Sequence, residues 1–335
     1  MPRKDEGPRA SGQVERADRT TTRSTPVSVI IPIRNAVSTL PDLLASLAAQ
    51  DDLSFEVVVA DNDSSDGSGA LAWTFRDRFA HLVVVDASCR RGPGFARRAG
   101  AEVASGEFLL FVDADDEVSP RYVGALAQAL TLDDFVHAAM DMKKLNPDWF
   151  VEHDAGLGNT TPDVGGWKYA FGGTLGVRRD AYDRSGGWSP EYHVGDDVDF
   201  CWRMRAAGYD LRCVPEAVLH RRGRHSSAGS WQQGRWYGTH HAISNRMWKP
   251  YGLAVESEWT LARRACTLAL TVRSLRSPTD RPFWLKEAGL VSARAQHDLT
   301  DRLFSWRTRD ALDVRRPSKD PALERFRRAR SSRAS

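Results

Sequence analysis

Between Val27 and Asp113 the chain alternates short apolar, β-branched runs with helical segments, and this rhythm restricts its fold more than any other feature. Val27–Ile33 reads as a buried strand. Leu40, Leu43, Leu44 and Leu47 follow at helical spacing, with Ser38 or Thr39 available as a cap and Pro41 tolerated in the first turn. Residues 55–60 form a second strand, 61–68 a polar turn, and a helix runs to about Phe79. Residues 82–85 give a third strand and 93–104 a helix, after which a fourth strand stops at Asp113. Strand–helix units of roughly thirty residues imply βαβ connections and a mostly parallel sheet with helices on both faces. The fold class is therefore α/β.

Beyond a helix at 119–131 the rhythm weakens. Residues 135–140 are expected to form an edge strand, and 141–170, rich in Asp, Trp, Gly and Pro, an irregular region. A second block opens at Gly172-Gly173-Thr174 and ends with two strands, near 211–214 and at 217–220. Residues 255–312 carry an amphipathic helical pattern. The expected organisation is a disordered leader over 1–25, a main domain over 26–250, a helical extension over 251–314 and a basic disordered tail over 315–335.

Charged residues make up 27% of the 335, and the net charge of +3 gives no argument for nucleic acid. From Arg315 onward there are eight Lys/Arg against Asp320 and Glu324, a tail suited to solvent or to an anionic membrane surface. The four cysteines form no Cys-x-x-Cys pair, which fits a reducing cytoplasm. No run of eighteen apolar residues offers a membrane span, and the first 25 residues lack the apolar core of a secretory signal.

Three acidic clusters interrupt this pattern. Asp113-Ala114-Asp115 ends the fourth strand, at the sheet edge where ligands bind in such folds. Two carboxylates held together repel unless a cation sits between them, and a hard divalent ion with oxygen ligands is its natural occupant. Asp61-Asn62-Asp63 opens the turn after the second strand, where an Asp can accept hydrogen bonds from a nucleobase or ribose; ordinary turn chemistry accounts for it as well. Gly195-Asp196-Asp197-Val198-Asp199 places three carboxylates at a helix start, more than a cap requires, and suits a general base. Arg90, Arg91, Arg97 and Arg98 surround a Gly-rich helix start, a plausible phosphate site or a solvated face. His220 ends a strand, and Gln232-Gln233-Gly234-Arg235-Trp236 offers Trp and Arg surfaces for a sugar or a diphosphate.

In order and spacing these segments resemble the family 2 glycosyltransferases, inverting nucleotide-sugar enzymes of the GT-A fold, over residues 26–250. The resemblance implies that Pro32, Asn35 and Asp61 line the nucleobase pocket. Arg34 then stacks where the family often has Tyr, and Asp63 stands where Gly is usual. It places Arg97, Asp113 and Ala114 against the donor and Asp115 on a divalent metal, Mn²⁺ or Mg²⁺, with His220 as a further ligand. Asp197 becomes the base for the acceptor hydroxyl, flanked by Asp196 and Trp188 in the acceptor site. Gln232, Arg235 and Trp236 hold the diphosphate side. The expected partners are a nucleoside-diphosphate sugar and a glycan, lipid-linked or small-molecule acceptor. The expected place is the cytoplasm, with peripheral contact to the inner membrane face through the basic tail. The alternatives are a nucleotidyltransferase, for which a Gly-rich triphosphate loop after the first strand is missing at Arg34-Asn35-Ala36, and a nucleotide-sugar-binding module without chemistry.

Overall fold

The structure is a computed structural model and describes residues 14–18, 26–51, 54–153, 161–164, 166–189, 195–248, 253 and 257–303. The apolar runs form strands β1 (Val14–Asp18), β2 (Val27–Ile33), β3 (Glu56–Asp61), β4 (His81–Asp86), β5 (Phe108–Phe111) and β6 (Glu117–Val118). Later strands are β7 (Phe135–Asp141), the short pair β8 (Asp163–Val164) and β9 (Trp167–Lys168), β10 (Leu175–Arg178) and β11 (Arg212–His220). Helices α1 (Leu40–Ala48), α2 (Ser68–Thr74), α3 (Pro93–Val103), α4 (Tyr122–Leu130) and α5 (Asp148–His153) alternate with them. The second half adds α6 (Arg179–Ser185), α7 (Asp196–Ala206), α8 (Ser227–Trp248), α9 (Glu258–Leu270) and α10 (Arg281–Leu303).

Nine strands make one mixed sheet in the order β1-β4-β3-β2-β5-β10-β7-β11-β6. Its β4-β3-β2-β5 half is parallel, and β10 runs antiparallel between β5 and β7. Side-chain alternation sends Val27, Val29, Ile31 and Ile33 to the face covered by Leu40, Leu43, Leu44 and Leu47 of α1. Ile30, Val58 and Ala60 face the opposite layer, with Phe95, Ala96 and Ala99 of α3 and Phe200 and Met204 of α7. Helices therefore cover both faces, and each fully buried Leu or Phe contributes roughly 1.5–3 kcal/mol. Gly100 lets α3 lie this close: a Cβ there would stand 2.5 Å from Ile30 Cγ2.

Several local expectations are corrected. Val14–Asp18, inside the leader expected to be disordered, pairs antiparallel with β4 and covers its backbone edge. β7 is interior, because β10 inserts beside it from later in the chain. The two strands expected after residue 210 are one strand, β11, with a register shift between Val214 and Val218. Thr39 stands at the start of α1 but makes no side-chain cap bond. The boundary expected at 250 separates helices that pack together: Cβ atoms at Gly234 and Gly238 of α8 would lie 1.8 and 2.2 Å from the Lys286 and Leu290 carbonyl oxygens of α10. The tail over 315–335 lies outside the described residues.

Candidate active site

The parallel strands bring the acidic clusters to one sheet edge. At the ends of β2 and β3, Ile33 stands opposite Asp61, and the Asn62 amide N–H donates to the Ile33 carbonyl at 2.9 Å. Asn35 sits in the left-handed region at φ 51°, and its side-chain oxygen accepts from the Ser65 N–H at 2.8 Å. Asp61 accepts from the Ser64 N–H at 3.0 Å, and Asp66 accepts from the Val37 N–H at 3.0 Å. The loops after β2 and β3 are thus tied into one unit. Pro32 and Asp61 are half-buried in it, whereas Arg34 is exposed and Asp63 pairs with Arg91 at 2.9 Å. Asn62 carries the most of this framework: buried, it donates to the carbonyls of Ala87 and Arg90 and accepts from the Gly92 N–H.

The centre of the site is a buried cation. Arg97 of α3 is 4% exposed and donates to Asp113 at 2.5 Å and to Asp196 at 2.6 Å. Its guanidinium lies 4.8 Å from the centre of the Trp188 ring. Two carboxylates hold Arg97 far above its ordinary pKa, although burial opposes this. Gly172 and Gly173 close over the pair: a Cβ at 172 would stand 2.8 Å from Arg97 Cζ, and one at 173 would stand 2.9 Å from Asp113 Cγ.

Asp196 and Asp197 open α7, behind Gly195 at φ 74°. Asp196 is 5% exposed and points back to Arg97; burial lifts its carboxyl to about 7 against the pull of that cation. Asp197 is half-buried, and its oxygens accept from the Gly172 N–H at 3.3 Å and the Val198 N–H at 2.9 Å. Burial raises its pKa, while Arg97 and both N–H donors pull it back. Of the two, Asp197 is the more open carboxylate.

Asp115 is half-buried, and burial and the charge of Asp113 raise its pKa against Arg224 and Arg221. Asp116, fully inside, accepts from the Arg222 N–H at 2.8 Å and is raised further by burial and by Asp115. Arg222 also donates to the Asp115 carbonyl at 3.1 Å, so the loop after β11 is fastened onto the Asp-x-Asp turn.

Several expected roles move. Arg97 and Asp196, expected at the donor and the acceptor, pair with each other inside the protein. Trp188 is 0% exposed, stacked on Phe200 with ring centres 4.5 Å apart and edge-on to Phe111 at 5.2 Å. It supports Arg97 from below, with its ring packed inside the core and not at the solvent edge where an acceptor contact was expected. Arg98, like Arg97, is internal and donates to the Gly186 and Trp188 carbonyls. His220 Nδ1 lies 2.7 Å from Asp141 on the neighbouring strand. Among the described residues no three His, Cys, Asp or Glu side chains are grouped to hold a metal. Arg235 turns away to α10, donating to Gln296 at 3.0 Å, and Gln232 is exposed on α8. Trp236 stays linked to the site, with the Arg224 guanidinium 5.0 Å from its ring centre. Ala114 is buried between its two acids.

The residues missed are Arg221, Arg222 and Arg224. The signal was present in the run His220-Arg221-Arg222-Gly223-Arg224-His225, whose last five residues follow directly after a strand of the sheet. Arg221 stacks on Phe171 at 4.3 Å, which holds its guanidinium near Asp115.

The site thus joins an acidic sheet edge to a buried arginine set over an aromatic floor, and sequence comparison gives the class of protein that carries it. The model of glycosyl transferase family group 2 matches residues 108–283, and that of glycosyl transferase family 2 matches residues 28–186. The chain belongs to the family 2 glycosyltransferases. It is 32% identical over 123 residues to the uncharacterized glycosyltransferase YibD of Escherichia coli, covering 37% of this chain and 34% of that one. It is 28% identical over 207 residues to the pre-mycofactocin glycosyltransferase of Mycobacterium tuberculosis, covering 58% and 42%. The chain thus spans about a third of the length of the first of these relatives. Among solved structures, the mannosyltransferase PcManGT of Pyrobaculum calidifontis, in complex with GDP-Man and Mn²⁺, superposes with a TM-score of 0.58 at 21% identity, covering 85% of this chain and 88% of that one. That likeness concerns the fold.

Proposed function

We propose that the chain transfers a sugar from a nucleoside-diphosphate sugar to an acceptor hydroxyl, with inversion at the anomeric carbon and Asp197 as the base. The observation that carries this reading is the half-buried Asp197, with a raised pKa, held by the Gly172 N–H beside the buried Arg97 and its partner Asp113. A base poised above the ordinary carboxylate value accepts a proton more readily near neutral pH. Asp197 takes the acceptor proton as the hydroxyl oxygen attacks the anomeric carbon. The bond from that carbon to the diphosphate oxygen breaks on the opposite face. Arg221 and Arg224, which act on Asp115 from the loop after β11, suit the negative charge that builds on the departing diphosphate. Asn35, Asp61 and the loops they tie together hold the nucleoside.

The donor set at Asp115 fits a divalent cation. Its carboxylate is crowded by Asp113, and a hard ion bound by one or two carboxylates takes its other oxygens from phosphate and water. PcManGT, similar in fold, is described with Mn²⁺ and GDP-Man. Asp115 would hold such an ion, and the ion would neutralise diphosphate charge; His220 is the further ligand we propose, its Nδ1 held by Asp141 of β7.

In Asp197→Asn, transfer should fall by at least about a hundredfold while affinity for the donor nucleotide stays within about twofold. A panel of UDP-, GDP- and dTDP-sugars, with Mn²⁺ or Mg²⁺, measures both by product formation and calorimetry. Wild-type turnover in the variant would remove Asp197 as the base. Absence of binding by every donor, with or without metal, would remove the transferase reading.

A further inference from the structure

Helix α9 is built inside out. Its side toward α10 holds half-buried Leu261, Arg264 and Leu268, with Trp284 of α10 donating to the Leu268 carbonyl at 3.2 Å. Its solvent side carries Trp259, 79% exposed, and Leu270, 85% exposed, with Ala262, Ala265 and Ala269 between them. Val272, 51% exposed, continues this surface into the short helical turn that follows. An outward apolar helix face is unusual on a soluble surface and marks a contact.

The charge around the face indicates its partner. From Trp259 to Arg276 the chain has four arginines and no Asp or Glu. Arg264 is turned inward and paired with Glu287, whereas Arg263, Arg273 and Arg276 are exposed at the border of the apolar face. Two copies meeting about a twofold axis would bring these cations against one another. An anionic surface is attracted by the same cations, and an interfacial Trp with aliphatic neighbours suits the headgroup boundary. We propose that the outer face of α9 and the turn after it, from Trp259 to Arg276, dock on a bilayer containing anionic lipid.

The test uses the full chain and phosphatidylcholine vesicles with or without phosphatidylglycerol. The wild type is expected to co-sediment with the anionic vesicles and to be released by added salt. Trp259→Ser with Leu270→Ser, and separately Arg273→Glu with Arg276→Glu, should each lower the bound fraction about tenfold or more, at an unchanged thermal midpoint. Binding that survives deletion of residues 315–335 supports α9 as the docking element. Loss of all binding on that deletion assigns the contact to the tail and overturns the proposal. So does failure of the wild type to bind, or binding that both double substitutions leave intact. Self-association without lipid that the Trp259 and Leu270 substitutions abolish assigns the face to a second copy and equally overturns it. No donor or acceptor is present, so the result is separate from the transferase reading.

Discussion

Arg97 is the residue on which the site's geometry depends. It joins side chains from positions 113 and 196, and the bond to Asp196 is closed off from water while Asp113 stays partly exposed. Removing the cation leaves Asp196 buried beside Asp113 and Asp197 without compensation. Arg97→Met should therefore lower stability by about 3–5 kcal/mol in denaturant unfolding, and Arg97→Lys by less, since the charge is kept although one ammonium cannot span both carboxylates in the same planar fork. A loss below about 1 kcal/mol for Arg97→Met would mean that the pairs contribute little beyond their mutual desolvation. Trp188 shows the limit of reading single residues. An aromatic beside Gly186-Gly187 looks like a sugar platform, yet its ring fills the space between Phe111 and Phe200.

At the scale of elements, α8 braces the start of α7. His240 of α8 is 5% exposed, its Nδ1 is 3.0 Å from Ser244 Oγ, and its ring occupies the space where a Cβ at Gly195 would stand. Burial and neighbouring His241 push its pKa down to about 3. A histidine lowered from its unfolded value of about 6.5 contributes stability that is full above that value and is lost as pH falls toward about 3. Acid should thus loosen α8 from the segment that carries Asp197. In His240→Gln the stability lost between about pH 6.5 and pH 3 should be smaller than in the wild type by a few kcal/mol, as read from urea midpoints across that range. Equal slopes in the two proteins would show that His240 is not the group responsible. The sequence displays these histidines, but nothing in their spacing tells that one of them meets Gly195, forty-five positions earlier.

For the whole molecule, the open edge of β4 is the exposed weakness of a parallel sheet. Val14–Asp18 closes it by backbone pairing, which needs no apolar pattern and so leaves no trace in hydropathy. Deleting residues 1–25 should make the protein associate with rising concentration, as light scattering would report; a monomeric deletion variant would show that the edge is harmless. The apolar period-two runs and the helical leucine spacing were sufficient for the α/β alternation, for helices on both faces and for the sheet edge that carries Asp61 and Asp113. Those patterns are local, since burial of one face is decided within a few residues. The place of β7 was not legible, because β10 arrives beside it from about forty residues later. Nor was the division among the acids. Asp113, Asp115, Asp196 and Asp197 are alike as letters; burial, the reach of Arg97 and the closure of Gly172 over it make Asp196 an internal partner and leave Asp197 open. By itself the sequence determined the family, the fold class and the acidic edge. Only the tertiary structure decided which carboxylates are free to act, because charge pairing and exposure depend on contacts between segments far apart in the chain.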